Sequence, residues 1–320
     1  MASKSEESRA DVPLTNLDQE LFDGAGATKR DLVDYLDAVR DRMIPVLEDR
    51  PLSVIRVHRG QEAFMQKNVP KYTPDFVATV KWWAESSKRE VSYALCNDRR
   101  TLIWFANQRA IEYHPTLVTA SHPDRVTHLV LDLDPPVGAP FAQAVAAARL
   151  VRAALAALGL EGAVKTSGAK GVHVFVPVTE ETGLEAAALA SRAIAHRAAD
   201  LDPGIATIAF MKEDRAGKVF VDSTRAGSAT VVAAYSPRVR PGTPVSFPVS
   251  WDDLDDIAPT DFTIHTAVDL LGDADPWSAR MPAPQSISDE LVEEGRGHPV
   301  PRVEAMHEGK RRKRAAAKKD

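Results

Sequence analysis

Between residues 128 and 134, leucines at 129, 131 and 133 alternate with Val130, Asp132 and Asp134. A period of two predicts a strand that puts both aspartates on one face, about 7 Å apart. Pro135 and Pro136 stop it, because neither can donate to a ladder. The alanine-rich stretch 141–158 reads as a helix ended by Gly159. Strands follow at 163–166 and 172–177, around the turn Ser167-Gly168-Ala169-Lys170-Gly171, then a helix at 184–199 and a strand at 218–222. This β-α-β-β-α-β order predicts a split βαβ sheet, with the first and third strands central and the fourth beside the first. Parity sharpens it. Val172, Val174 and Val176 share one face, against His173 and Phe175; Val219 and Val221 oppose Phe220 and Asp222. With the apolar sets turned to the helices, Asp132, Asp134, His173 and Asp222 share the open face.

The first half of the chain alternates less cleanly. Leu32, Tyr35, Leu36, Val39, Met43 and Val46 fall near helical spacing and predict one helix over 30–47. Strands are expected at 53–58, 76–83, 90–94 and 111–115, with a polar turn at 85–89 and a short helix at 101–108. Residues 249–271 look helical in parts. Residues 1–12 read as disordered and 286–320 as a loosely ordered basic tail, ending in Lys310-Arg311-Arg312-Lys313-Arg314 and Lys318-Lys319. That tail reads equally as an aid to nucleic-acid affinity and as a solvated end.

Composition changes little. The chain of 320 residues, 44% hydrophobic, has ample material for a core, and a net charge of -5 leaves room for a local basic cleft. A single cysteine, Cys96, excludes an internal disulfide framework and a cysteine-rich zinc site. No apolar run approaches a membrane span and the first residues are polar, so a cytoplasmic protein with no membrane partner is expected.

Candidate chemistry centres on the acids. Neighbouring carboxylates repel unless a cation or proton intervenes, and hard oxygens suit Mg²⁺ or Mn²⁺. Three carboxylates and His173 on adjacent strands fit a two-metal site for phosphoryl transfer. The alternative is a solvated sheet face. Ser167 and Lys170 offer a hydroxyl and a cation to a metal-bound triphosphate, although the spacing is not that of a P-loop and a bare hairpin turn has the same sequence. His173 reads as a donor to a phosphate or sugar oxygen rather than a ligand. Phe64 and Met65, followed by Lys67, fit a base platform with a phosphate contact or, equally, a core strand. Trp82-Trp83 reads as core.

Six stretches in order, Phe64-Met65-Gln66-Lys67, Glu112-Tyr113-His114-Pro115, Leu131-Asp132-Leu133-Asp134-Pro135, Thr166 to His173, Phe220-Val221-Asp222 and Tyr235-Ser236-Pro237-Arg238, resemble the polymerase domain of bacterial DNA ligase D, of the archaeo-eukaryotic primase superfamily. The resemblance covers roughly residues 12–285; with no ligase or nuclease portion present, a stand-alone prim-polymerase of actinobacterial type is expected. It implies an α+β primase fold. A catalytic domain over 13–285 would comprise an N-terminal α/β lobe (13–125) and an RRM-like lobe (126–285), with the active-site cleft between them. It implies that Asp132, Asp134 and Asp222 hold two Mn²⁺ or Mg²⁺ ions, with His173 in the second catalytic motif. Ser167, Lys170 and Arg238 would hold the triphosphate, and His114 would meet the nucleotide near its sugar, with ribonucleotides preferred. Phe64 would stack near the templating base and Lys67 touch the DNA backbone. Asn16 and Lys29 match two members of the family's pocket for a downstream 5′-phosphate, but Gln19 stands where a second lysine is usual, implying weaker recognition. Met65 stands where a second aromatic is frequent, softening the platform.

The implied activity is template-directed, metal-dependent nucleotidyl transfer from NTPs and dNTPs onto primed, gapped or broken DNA, in end-joining or excision repair, with a separate DNA ligase and Ku as partners. Two readings stay beside it: a primase that needs no primer, and a catalytically weak DNA-end scaffold that recruits a ligase.

Overall fold

The computed structural model describes residues 7–84, 88–226 and 229–300, which form two compact units. The basic tail beyond residue 300 and most of the expected turn at 85–89 lie outside the described residues.

The first unit holds the described residues of Met1–Arg125, Val164–Ala169 and Ser228–Met281. Strands β1 (Ser8–Arg9) and β2 (Val12–Pro13) pair with each other, so residues 7–12 are ordered where disorder was expected. Helix α1 (Lys29–Ala38) starts on a capping box between Thr28 and Asp31, which satisfies two otherwise orphaned backbone donors. The single helix expected over 30–47 is two, because Val39, at φ -94 and ψ 3, leaves helical geometry before α2 (Arg40–Leu47). Pro45 inside α2 also removes one ladder donor. Leu32, Leu36, Met43 and Leu47 from this pair, with Leu102 and Ile103 of α3 (Arg99–Asn107), are fully buried. The sheet has β3 (Leu52–Arg56) pairing β4 (Phe64–Gln66), β6 (Arg89–Ala94) and β7 (Ala110–Pro115), and β6 pairing β5 (Thr79–Ala84).

The second unit takes the described residues of Val126–Ala163, Lys170–Gly227 and Pro282–Asp320. Strand β8 (His128–Asp134) begins it, followed by α4 (Phe141–Ala156). Strand β9 (Ala163–Thr166) leads into the first unit, and β10 (Val172–Pro177), α5 (Leu184–Leu201), β11 (Ala206–Thr207) and β12 (Val219–Asp222) complete the second. β10 and β12 flank β8, both antiparallel, so the fourth strand lies beside the first as expected. Leu133 sits opposite both Val172 and Val221, and α4 and α5 pack on the sheet.

Two expected boundaries change. Val164–Ala169 and Ser228–Met281 belong with the N-terminal residues rather than with an unbroken second lobe. β9 pairs there with β13 (Pro248–Val249), and Val231 and Ala233 donate backbone hydrogen bonds to Pro115 and Tyr113. The expected helical stretch over 249–271 is mostly short turns until α6 (Ala267–Leu271), and α7 (Pro276–Arg280) follows. Nor is the chain from 286 loose throughout. Asp289–Gly297 forms α8, capped by Ser288 and packed on α5. Gly295 meets the Leu189 backbone so closely that an added Cβ would lie 2.0 Å from its carbonyl oxygen. Among the described residues no helix is long and apolar enough to cross a membrane.

Candidate functional site

In the second unit, register does what parity forecast. Asp132 sits opposite His173 on one side and Asp222 on the other, and Asp134 follows two residues along the same face. The face is not open, however: Asp132, His173 and Asp222 are buried, which removes the solvated-face alternative. One carboxylate oxygen of each paired acid is taken by a neighbour. His173 Nε2 lies 3.2 Å from Asp132 Oδ1, while the Thr224 amide and hydroxyl donate to Asp222 Oδ1 at 2.8 and 2.6 Å. The other two oxygens share a cation. Arg225 Nη2 lies 2.6 Å from Asp132 Oδ2 and 3.1 Å from Asp222 Oδ2.

Electrostatics follow from this arrangement. Burial alone would raise the Asp132 pKa, but His173 and Arg225 overcome it and hold the carboxyl well below the usual range. Asp134 goes the other way: burial and the Asp132 charge push it up, more than Lys170, Arg215 and Arg225 pull it down. Lys170 Nζ donates to the Pro135 carbonyl, which holds its charge close enough for Asp134 to feel it.

A second buried ionic cluster lies within the first unit. Glu112 and His114 alternate along β7 and share a face; His114 Nε2 is 2.9 Å from Glu112 Oε2. Arg238 Nε comes within 3.0 Å of the same oxygen, and the Val239 amide donates to Oε1 at 2.8 Å. Burial would raise Glu112, yet the bond from His114 and the Arg238 charge lower it. Burial lowers His114 despite the carboxylate. A neutral imidazole that donates Nε2–H to Glu112 keeps Nδ1 as an acceptor. Arg238 Nη1 also donates to the Ser167 carbonyl. Gly168, at φ +68, makes this approach possible: a Cβ there would meet Arg238 Cγ at 2.6 Å and the Ser246 amide nitrogen at 2.8 Å.

The residues expected at DNA are spread over the first unit. Phe64 and Met65 sit on edge strand β4, 36% and 47% exposed, so they are not core. Phe64 lies beside His58, with ring centroids 5.1 Å apart, and Lys67 is exposed. Trp83 is 60% exposed, against the expected core position, because it lies on outer strand β5. Asn16 is exposed in a left-handed turn, φ 53, whose carbonyl accepts from the Gln19 amide. Lys29 is buried rather than presented to solvent, its Nζ donating to the Thr15 carbonyl at 2.5 Å. Burial and the Arg109 charge bring its pKa down to about 8. Gln19, His58, Arg59 and Arg109 line a cleft of 870 Å³.

Residues 28–277 match the family model "LigD, primase-polymerase domain". The chain belongs to this family. It is therefore a DNA polymerase or primase of the nucleotidyltransferase class with the archaeo-eukaryotic primase fold. It is 32% identical over 303 residues to the multifunctional non-homologous end joining DNA repair protein LigD of Mycobacterium tuberculosis, covering 91% of this chain and 39% of that protein. It is also 32% identical over 265 residues to the bifunctional LigD of Bacillus subtilis, covering 81% of this chain and 42% of the relative. The chain thus spans less than half the length of these relatives. Among solved structures it is similar to the polymerase domain of Mycobacterium tuberculosis ligase D in complex with DNA, with a TM-score of 0.76 and 32% identity over 85% of this chain and 99% of that one.

Within this LigD-type chain, Arg225, Thr224 and Glu112 carry the two clusters and were not singled out from sequence. Glu112 had a signal, its alternation with His114. Arg225 had only its place three residues beyond Asp222. As the side chains stand, no three His, Cys, Asp or Glu groups form a ready-made metal site among the described residues. The donor chemistry nevertheless fits a divalent ion. Hard oxygens from adjacent strands come within the span of one guanidinium nitrogen, and that nitrogen is a cation.

Proposed function

We propose that this chain extends DNA by template-directed nucleotidyl transfer using divalent metal, and that it does so in gap filling during end joining or excision repair. The observation that carries this reading is the convergence of Asp132, Asp134 and Asp222 on one face of the sheet in a chain of the LigD polymerase family. Asp132, Asp134 and Asp222 would hold two Mn²⁺ or Mg²⁺ ions, which when bound lower the proton affinity of a primer 3′-hydroxyl and neutralise charge on pyrophosphate. The chain's own groups supply position. Ser167, Lys170 and Arg238 bind the triphosphate as fixed donors. His173 keeps Asp132 oriented and ionised. The free Nδ1 of His114 accepts from a sugar hydroxyl, a contact that only a ribonucleotide's 2′-OH makes, and so favours NTPs over dNTPs.

DNA is proposed to lie on the first unit through the Phe64 ring, Lys67 and the Asn16–Lys29 region, with a separate ligase and Ku acting on the same ends. The complex of the tuberculosis LigD domain with DNA supports this. The test is primer extension on gapped, tailed and unprimed DNA with NTPs or dNTPs and Mn²⁺ or Mg²⁺. Extension of the gapped primer, faster with NTPs, supports the reading. Dinucleotide synthesis on unprimed template would favour a primase, and metal-independent end binding without extension would favour a scaffold.

A further inference from the structure

The feature that the proposed activity does not use is the guanidinium laid across its acids. Arg225 Nη2 touches Asp132 and Asp222 at once, on the two oxygens that His173 and Thr224 leave available. An ion shared by those two oxygens would take the place Nη2 holds between them and would face the guanidinium charge at close range. The guanidinium is also imperfectly satisfied, since its Nε is buried without a hydrogen-bond partner. An orphaned buried donor is destabilising, so the bridge is held by the two carboxylates and not by a cage built for arginine.

We propose that Arg225 is a resident counter-cation of the acid face. It keeps Asp132 and Asp222 together and ionised in the metal-free protein, and divalent metal binds there only by displacing it. This rests on the metal reading above and adds a consequence which that reading lacks: the chain's own charge sets its metal affinity. The sign does not depend on where the displaced side chain goes, because removing a positive charge beside a cation site tightens cation binding. A resident cation also explains how two like charges on adjacent strands are tolerated within the fold before metal arrives.

The decisive measurement is Mn²⁺ binding to nucleotide-free protein, read by the loss of the free-ion paramagnetic resonance signal, for wild type, Arg225→Lys and Arg225→Gln. Arg225→Gln should bind Mn²⁺ about tenfold more tightly, with Arg225→Lys between. Without metal, Arg225→Gln should melt below wild type and regain the difference when Mn²⁺ is added, a response that simple loss of packing would not give. In the wild-type protein, the Arg225 Nε–H resonance should move as Mg²⁺ is added, a readout that needs no variant. Equal or weaker Mn²⁺ binding by Arg225→Gln, or an Arg225 resonance that ignores Mg²⁺, overturns the proposal while leaving metal-dependent extension open. No Mn²⁺ bound by any of the three proteins overturns both.

Discussion

The protein contains two buried ionic clusters of opposite balance. In the second unit, three carboxylates, Asp132, Asp134 and Asp222, share one face; Arg225 bridges two of them, and burial with the Asp132 charge raises Asp134. In the first unit, one carboxylate, Glu112, is shared by Arg238 and His114, and Lys165 adds positive charge that His114 feels. In one cluster three acids meet; in the other a single acid is surrounded by cationic groups. A buried group that is fully paired is structural at little cost; a buried surplus must be met from outside. On that ground the acid face is read as the cation site and the Glu112 cluster as a holder for anionic and hydroxyl groups of a nucleotide.

The comparison breaks most readily at the acids. Asp132→Asn keeps shape and removes one charge, and primer extension should fall on the order of 10³-fold with an unchanged circular dichroism spectrum. Extension within a few-fold of wild type would remove the metal assignment. In the other cluster, Glu112→Ala leaves the half-buried Arg238 guanidinium without its carboxylate and should cost about 3 kcal/mol of stability, read from denaturant midpoints. A variant as stable as wild type would mean that Arg238 does not depend on Glu112. Gln19→Lys tests the cleft. A lysine there should improve binding of gapped DNA carrying a downstream 5′-phosphate by about fivefold over the 5′-hydroxyl form, and an unchanged ratio would deny the Asn16–Lys29 region that role.

The smallest effect is in pH. His114 is lowered from 6.5, so below that value the unfolded chain takes up more protons than the folded one and stability falls as pH drops. Glu112, lowered from 4.5, adds a second loss as pH falls through and below that value. His114→Gln should flatten the first fall and, by loosening the hold on Glu112, shrink the second, in melting temperatures measured across pH 4 to 8. An unchanged profile would separate His114 from the titration.

The second unit was legible because a period of two survives burial. Leucines and valines alternate with other side chains on three strands, and parity puts Asp132, Asp134, His173 and Asp222 on one face; the structure adds the register that sets Asp132 opposite His173 and Asp222. What pattern could not supply was closure. The face was expected to be open and is buried, and Arg225 reaches it from a turn, where no periodicity operates. In the first unit, the break at Val39 has no Gly or Pro to mark it, the exposure of Trp83 depends on strand order, and the burial of Lys29 depends on Thr15 fourteen residues away. The return of residues 228–281 to pack with the N-terminal part left no local signal either.

The three aspartates are proposed to form a divalent-cation site used for nucleotidyl transfer. That site is tested most directly by titrating Mn²⁺ into wild type, Asp132→Asn and Asp222→Asn while following extension of a gapped primer in the same samples. The account expects Mn²⁺ binding and extension to rise together in wild type and to be lost together in both variants. Full extension by either variant, or extension by wild type with all divalent metal chelated, would contradict it.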